Sequence, residues 1–174
     1  MVLVTGLNFT FAAAIMPNLA DADDRTFVAT MQRFNQNPVF AVTFTATLPL
    51  AAVAAWLHRR HGPATAARWT VAALMLYAVM LAITFVINVP LNYEIDEAGD
   101  PNIVTGLADV RNDVEGPWII ANIVRTLLST AAVAAVGWAL FQHRRSPADP
   151  DEATNPIGSS WPPPPTSPDP SPTP

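Results

Sequence analysis

The sequence predicts an all-α membrane protein: a bundle of four transmembrane helices with short extracytoplasmic amphipathic helices. Three observations lead to this fold. Of the 174 residues, 51% are hydrophobic and only 13% are charged, whereas a soluble domain carries about a quarter charged residues. The uncharged residues are gathered in four apolar runs. Each run has roughly the length that a helix needs to cross a bilayer.

The four apolar runs give the approximate spans. They cover residues 1–20, 38–57, 69–89 and 118–141. The first run has no basic segment before it, so it is interpreted as a retained span and not as a signal peptide. Pro90 is expected to close the third span, because proline disrupts a helix interior. Pro117 suits the first turn of the fourth span.

Two connections between the spans also carry a helical pattern. In residues 21–37, Phe27, Met31 and Phe34 recur at helical spacing behind three aspartates, and acidic residues favour a helix N-terminus. The acidic connection 91–116 repeats the spacing with a second apolar set. This set is Ile103, Leu107, Val110 and Val114. We therefore expect two short surface helices, and the longer connection is expected to form a lid or cap.

The C-terminal segment differs in composition from the rest of the chain. Proline recurs from Pro162 to Pro174, and such a segment cannot bury enough apolar surface to fold. The sequence thus predicts a transmembrane domain over residues 1–145 and a disordered, proline-rich tail over residues 146–174. A tail of this kind can bind a partner domain. The alternative is a tail without a specific partner.

Arginine placement predicts the orientation in the membrane. Five arginines lie on one side of the expected bundle and three on the other. The five are Arg59, Arg60, Arg68, Arg144 and Arg145, and the three are Arg25, Arg33 and Arg111. We expect a multi-pass plasma-membrane protein with both termini in the cytoplasm. The net charge of −5 leaves no basic face for phosphates, which argues against a nucleic-acid partner.

Polar residues within the fourth span form the candidate site. Trp118, Asn122, Arg125 and Ser129 are spaced by four, three and four residues, so they share one helix face. An arginine inside a span is costly unless a partner or a wet cavity receives it. The topology brings further polar residues to the same half of the bundle. These are Asn88 and Asn92, with Thr84 one turn below Asn88 and Asn8 deeper on the first span.

Two interpretations of this polar stripe remain open. Arg125 can bind an anionic or carbonyl oxygen of a small hydrophobic ligand, or it can join helices through hydrogen bonds with Asn88 and Asn122. A carboxylate from the long connection could also fold back to Arg125. The candidates are Glu94, Asp96, Asp113 and Glu115. No metal site is expected, because cysteine is absent and the three histidines lie on the opposite side of the bundle.

Five short motifs follow one another along the chain. They are Met16-Pro17-Asn18-Leu19, Met31-Gln32-Arg33-Phe34-Asn35, Asn37-Pro38-Val39-Phe40, Thr84 before Asn88-Val89-Pro90-Leu91-Asn92, and Trp118 with Asn122 and Arg125-Thr126. In this order they resemble the anthrone-oxygenase-like family of small four-span membrane proteins, over about residues 6–140. The resemblance implies a four-helix membrane bundle. For some members it implies oxidation of anthrones to anthraquinones by molecular oxygen, without a known metal or organic cofactor.

Such chemistry needs a base for an activated carbon and a group that stabilises the enolate. Arg125, Asn122 and Asn88 suit the stabilising role. Many members have histidine directly after the asparagine of the last motif, where this chain has Ile123, and Glu94 is the expected replacement base. The candidates for substrate contact are Trp118, Asn92, Thr84 and Asn8.

The sequence therefore supports two functional hypotheses. The first is a cofactor-independent oxygenase-like enzyme that acts on an aromatic or polyketide-like substrate. The second is a non-catalytic membrane bundle that binds a small ligand or a partner subunit.

Overall fold

The computed structural model describes residues 1–145, and the predicted tail, residues 146–174, lies outside the described range. Five helices fill that range. They are α1 (Val2–Ala20), α2 (Asp24–Asn35), α3 (Pro38–His61), α4 (Ala64–Glu97) and α5 (Leu107–Arg145). All but α2 are long and apolar enough to cross a membrane. The predicted four-span membrane bundle is thereby confirmed.

Helices α1 and α4 each contain a π-helical turn just before a proline. The first turn, Phe11–Ile15, ends two residues before Pro17, and the second, Thr84–Asn88, ends two residues before Pro90. In a regular α-helix the proline ring clashes with the carbonyl four residues earlier, and the wider π turn gives that carbonyl room. Helix α4 therefore continues through Pro90 to Glu97, beyond the predicted end of the third span.

Helix α5 begins well before the predicted fourth span. It starts at Leu107 and runs through Pro117 without interruption, so Pro117 lies inside the helix and not at its first turn. The apolar repeat predicted as a separate surface helix forms the first turns of α5. Ile103 stays outside it, in a turn, and is 80% exposed. Val114 is fully buried against α2. The apolar residues at the start of α5 therefore serve to pack this segment on α2.

Helix α2 is the predicted amphipathic helix, and it covers one end of the bundle. The Asp23 carboxylate accepts a hydrogen bond of 2.7 Å from the backbone N–H of Thr26. That bond caps the helix and holds the pKa of the Asp23 carboxyl below its ordinary value. The apolar face of α2 is buried with Ile95 of α4. We call the half of the bundle next to α2 the capped half.

The opposite half ends at the basic run of His58, Arg59, Arg60 and His61, and we call it the basic half. There α4 and α5 pack closely along a seam of small side chains. The buried members of this seam are Ala73, Ala132 and Ala135. Helix α3 packs along Ala64–Ile83 of α4 and makes at most sparse contact with Thr84–Glu97. The capped half is thus more open between α3 and α4 than the basic half.

Candidate functional site

A cavity of about 320 Å³ lies in the capped half. All five helices contribute to its lining, α5 through Trp118, Asn122 and Arg125. The volume is within the range of small-molecule sites, roughly 300–1,000 Å³. The walls are mainly apolar, and a few polar groups converge at one place, as is typical of ligand sites.

Arg125 forms the buried end of this cavity. Arg125 is only 6% exposed to solvent. One terminal nitrogen, Nη2, donates a hydrogen bond of 2.8 Å to Oδ1 of Asn8, and Cζ lies 5.1 Å from the centre of the Phe44 ring. Within residues 1–145 the ion pairs are those of Arg111 with Asp24 and Glu115. Arg125 is therefore a buried cation without a carboxylate partner in the described chain.

Asn122 lies one turn along α5 and also contacts α1. Its Nδ2 donates a hydrogen bond of 3.2 Å to the backbone carbonyl of Asn8. Asn8 thus accepts from both Asn122 and Arg125, although 114 and 117 residues separate them in sequence. These two bonds join α1 to α5 through Asn8, a partner that the structural interpretation of the stripe did not name. Asn88 takes no part in this bonding.

Several buried polar atoms around the cavity have no hydrogen-bond partner among the described residues. They are Nδ2 of Asn8, Nδ2 and Oδ1 of Asn88, Oδ1 of Asn122 and Nε of Arg125. Leaving a buried donor or acceptor unpaired costs about 1–3 kcal/mol, and such atoms are few in native proteins. Both ends of the Asn88 amide are unpaired in a residue that is 1% exposed. A ligand or water in the cavity would satisfy these atoms.

Polar side chains continue along α4 from the buried end to the rim. Asn88, Asn92 and Asp96 follow at intervals of four residues and all line the cavity, with a rise of about 6 Å per interval. Oδ1 of Asn92 accepts a hydrogen bond of 2.9 Å from Nε1 of Trp118. Oδ1 of Asp96 accepts one of 3.3 Å from Nδ2 of Asn35 on α2. The polar face therefore ends under the cap.

An aromatic cluster lines the same cavity. Phe11 lies at its centre, with ring centroids 4.9 Å from Phe34, 5.8 Å from Phe40 and 5.3 Å from Trp118. The Phe34 and Phe40 rings meet edge to face at 89°. We call these four residues the aromatic wall. These ring contacts give the cavity an apolar aromatic face.

The cavity brings together seven of the predicted site residues. They are Asn8, Thr84, Asn88, Asn92, Trp118, Asn122 and Arg125. The hydroxyl of Thr84 is used within its own helix, where it donates to the carbonyl of Met80 at 3.0 Å. Ser129, on the same face as Arg125, is buried but does not line the cavity.

Glu94, the predicted replacement base, is exposed and does not line the cavity. Ile123 is 46% exposed on the outer surface of the bundle. A histidine at that position would face away from the cavity, so its replacement by isoleucine removes no group from the site.

Sequence reasoning missed the aromatic wall, Phe44 and the contacts beneath the cap. The motifs contained Phe34, Asn35 and Phe40, but helical spacing alone does not show which rings meet across four helices. Nothing in the sequence marked Phe44, whose backbone carbonyl accepts a hydrogen bond of 2.7 Å from the Tyr77 hydroxyl. That bond fixes α3 against α4 just below the cavity.

A second cavity of about 470 Å³ lies in the basic half, between α3, α5 and the start of α1. It is larger, but its lining is almost entirely apolar, with small residues such as Ala51, Ala54 and Gly137. The His58 and His143 rings lie 5.9 Å apart nearby. Among the described residues, no three metal-binding side chains are grouped together. The convergent polar atoms make the Arg125 cavity the candidate site.

The chain matches a known protein family. The sequence model of the anthrone oxygenase family matches residues 31–135, which is more than half of the chain. The match covers the polar face of α4 and the Arg125 stripe of α5, and it leaves Asn8 outside. No curated protein and no solved structure matches the chain. On the strength of the family match, the chain belongs to the anthrone oxygenase family.

Proposed function

We propose that this protein is a membrane oxygenase that binds a flat, phenolic aromatic ketone of the anthrone type and oxidises it to a quinone with molecular oxygen. The observation that carries the proposal is the guanidinium of Arg125 at the buried end of an aromatic cavity, where it has no carboxylate partner among residues 1–145 and its Nε has no hydrogen-bond partner. The unpaired amide atoms of Asn88 and Asn122 lie around the same cavity. Family membership supports the same reaction class.

The charge of Arg125 selects the ionised form of a ligand. A cation removed from water and left without a partner is costly, and a nearby opposite charge favours ionisation of an acidic group. An anthrone loses a proton to give an enolate whose charge is concentrated on oxygen. The enolate oxygen then serves as the counter-ion of Arg125, and the planar guanidinium can direct two donors at it.

The aromatic wall and the amides orient the same ligand. The rings of Phe11, Phe34 and Trp118 provide an apolar surface for the fused rings. The amides of Asn88 and Asn122 offer both donors and acceptors to hydroxyl and carbonyl groups on the ligand edge. A ligand that lacks these polar groups would leave the buried amides unpaired, so the site discriminates against plain hydrocarbons.

The proposed reaction replaces the two methylene hydrogens of an anthrone with one oxygen atom. One C–H proton leaves to water, and its electron pair remains on the substrate as the enolate that Arg125 holds. The enolate gives electrons to molecular oxygen, and a C–O bond forms at the former methylene carbon. Loss of water breaks the O–O bond and gives the quinone. One oxygen atom ends in the product and the other in water.

No protein carboxylate is assigned as the base in this proposal. Asp96 lies at the rim, about 12 Å along α4 from Asn88, and Glu94 is outside the cavity. Neither carboxylate therefore lies at the buried end of the cavity, where Arg125 would hold the enolate oxygen. Stabilisation of the enolate by Arg125 therefore lowers the pKa of the substrate, so that water can accept the proton.

Among residues 1–145 no carboxylate pairs with Arg125, and this also favours a second candidate function, ligand binding without turnover. Both candidates predict that anthrone raises the melting temperature of the purified protein, because a ligand that binds only the folded state stabilises it. Only the oxygenase consumes one oxygen molecule per quinone formed. Oxygen-electrode and absorbance measurements on the same sample distinguish the two.

The decisive variants are Arg125→Lys and Arg125→Leu, in detergent or nanodiscs. Lysine keeps the charge but loses the planar fork, so turnover should fall by about 10²–10³-fold, as for the loss of an oxyanion donor. Arg125→Leu should abolish turnover. The control is Arg33→Lys on the exposed surface of α2. Wild-type turnover in Arg125→Leu would exclude the proposal.

The orientation belongs to the same proposal. The arginine bias places the capped half outside the cytoplasm and both termini inside the cell. The chain has no cysteine, so single cysteines report topology cleanly. In intact cells, a cysteine at Ala98 should react with an impermeant maleimide and one at Ala64 should not. The reverse labelling pattern would invert the topology.

A further inference from the structure

We propose that the cavity exchanges its ligand directly with the bilayer, through a lateral portal between α3 and α4. The portal is bounded by Ala41 and Thr45 on α3 and by Phe85 on α4, which all line the cavity and are all exposed. This inference rests on the proposed function and specifies its substrate class. The substrate reaches the site as a neutral, planar polycyclic phenol or ketone dissolved in the membrane, and it ionises only beside Arg125.

The aqueous side of the cavity is closed by α2. Nε2 of Gln32 donates to the carbonyls of Ile95 at 2.9 Å and Gly99 at 3.0 Å. Nδ2 of Asn35 donates to the carbonyl of Asn92 at 3.1 Å and to Asp96. These bonds hold α2 to the last turns of α4.

The second attachment of α2 comes from Arg111 on α5. The guanidinium binds Asp24 at 3.1 Å and donates to the carbonyls of Leu19, Ala20 and Ala22 at the end of α1. Beneath these bonds, Phe27 and Val28 are completely buried, together with Ile95 of α4. Lifting α2 would break the whole set and expose these side chains, so the cap is a built part of the core.

The side between α3 and α4 has no comparable closure. Helix α3 packs on Ala64–Ile83 of α4 but has at most sparse contact with the π turn and the helix above it. The Tyr77 hydroxyl bond to Phe44 fixes α3 just below this level. Around it, the cavity-lining residues of α3 include the small side chains of Ala41 and Thr45, and Phe85 of α4 is 53% exposed. The opening is therefore bounded below by a hydrogen bond and above by the cap.

The portal lies at the depth of the hydrocarbon layer. Thr45 is seven residues after the start of α3, about 10 Å along the helix axis. Phe85 lies four residues before Val89 on α4, inside the span that the sequence predicts. A group passing between these residues comes from acyl chains and not from water. A permanently charged ligand could not use this route, whereas a neutral aromatic ketone could.

The test compares two ways of closing the cavity in nanodiscs, with anthrone as the probe and stopped-flow detection of bound ligand. Ala41→Phe narrows the portal, and Ala46→Phe is the matched control, because Ala46 is exposed on the same helix but does not line the cavity. Ala41→Phe should slow both association and dissociation at least tenfold and change the dissociation constant by less than threefold. A portal acts on both rates equally, whereas mere filling of the cavity weakens binding.

The second closure acts on the cap. Asn35→Cys/Asp96→Cys replaces two hydrogen-bonded side chains, and the absence of native cysteine allows one defined disulfide. Exchange of anthrone should be the same in the oxidised and the reduced protein. Exchange that stops on oxidation and returns on reduction would overturn the portal. So would exchange in Ala41→Phe at the rate of Ala46→Phe.

The portal and the proposed function fail in different ways. A wild-type protein that does not bind anthrone at equilibrium overturns the proposed function, and the portal with it. Normal equilibrium binding with unslowed exchange in Ala41→Phe overturns the portal alone.

Discussion

The two halves of the bundle use the same helices, α4 and α5, for opposite purposes. In the basic half, buried alanines let the two helices approach closely, which is how helices associate where water provides no driving force. In the capped half, Trp118 of α5 donates a hydrogen bond to Asn92 of α4, while Asn122 and Arg125 bond to Asn8 of α1. Small residues allow the helices to pack closely in the basic half, and larger polar residues line a cavity between the helices in the capped half.

Backbone geometry follows the same division. Both π turns lie in the capped half, at Phe11–Ile15 and Thr84–Asn88, and each widens its helix at the cavity wall. π turns occur frequently at functional sites. The close packing that stabilises the bundle and the cavity that would bind a ligand are therefore separated along the helix axis. Changes in the basic half should therefore affect folding, and changes around the cavity should affect ligand binding.

The largest effect is expected at the alanine seam. Ala132 is completely buried there, so Ala132→Leu should push α4 and α5 apart and lower the free energy of unfolding by about 1–3 kcal/mol. Ala131→Leu, at the adjacent exposed position, is the control and should change little. Detergent melting curves of the two variants test this. Equal melting temperatures would show that the seam is not closely packed.

The next effect concerns the cap. Arg111 donates to three backbone carbonyls and binds two carboxylates. Arg111→Gln should lower the free energy of unfolding by about 1.5 kcal/mol, the lower end of the range for hydrogen bonds to a charged group, because the partner Asp24 is partly exposed to solvent. The stability of Arg111→Lys should lie between that of wild type and that of Arg111→Gln, because lysine keeps the charge and loses the planar fork of donors. The exposed Arg33→Gln serves as control. If Arg111→Gln melts like wild type, the cap is not anchored as described.

Much of the fold, and one face of the candidate site, could be predicted from the sequence. The four spans followed from apolar length, and α2 followed from its aspartates and the spacing of Phe27, Met31 and Phe34. The stripe of Trp118, Asn122, Arg125 and Ser129 is buried on α5. These features depend on local periodicity, which one sequence contains in full.

The rest depends on packing between distant parts of the chain. The bond from Arg125 to Asn8 joins residues 117 positions apart, and no local pattern indicates which asparagine is chosen. The prolines at 90 and 117 were predicted to limit helices. Packing of the flanking helical segments against α2, with a π turn before Pro90, allowed the helices to continue. Arg111 was counted only as a topological charge, because its carbonyl partners appear only when α1 and α5 meet.

A smaller effect separates the two roles of the asparagines. The Asn88 amide has no partner among the described residues, so Asn88→Leu should leave stability unchanged or raise it by about 1 kcal/mol. Asn122→Leu removes the bond to Asn8 and should lower stability by about 0.5–1.5 kcal/mol. Both should weaken the binding of anthrone. Strong destabilisation by Asn88→Leu would show that Asn88 holds helices together and does not serve the ligand.

The smallest effect is the response of the cap to acid. The Asp23 carboxylate accepts the backbone hydrogen bond that begins α2, and its pKa in the folded protein is lowered by that bond. Because the folded value is below the unfolded one, the stabilisation is complete above the unfolded pKa, near 4. It is lost as the pH falls through the folded value.

Asp23→Asn keeps a side chain that caps helices equally well but removes the titration. The variant should melt like wild type at pH 7 and should lose less stability than wild type below about pH 4. Tryptophan fluorescence in detergent, followed from pH 7 to pH 3, measures the difference. The basic half contains no part of this cap, so Ala131→Leu should show the wild-type acid response. An acid response of Asp23→Asn equal to that of wild type would assign the acid sensitivity of the capped half to another carboxylate.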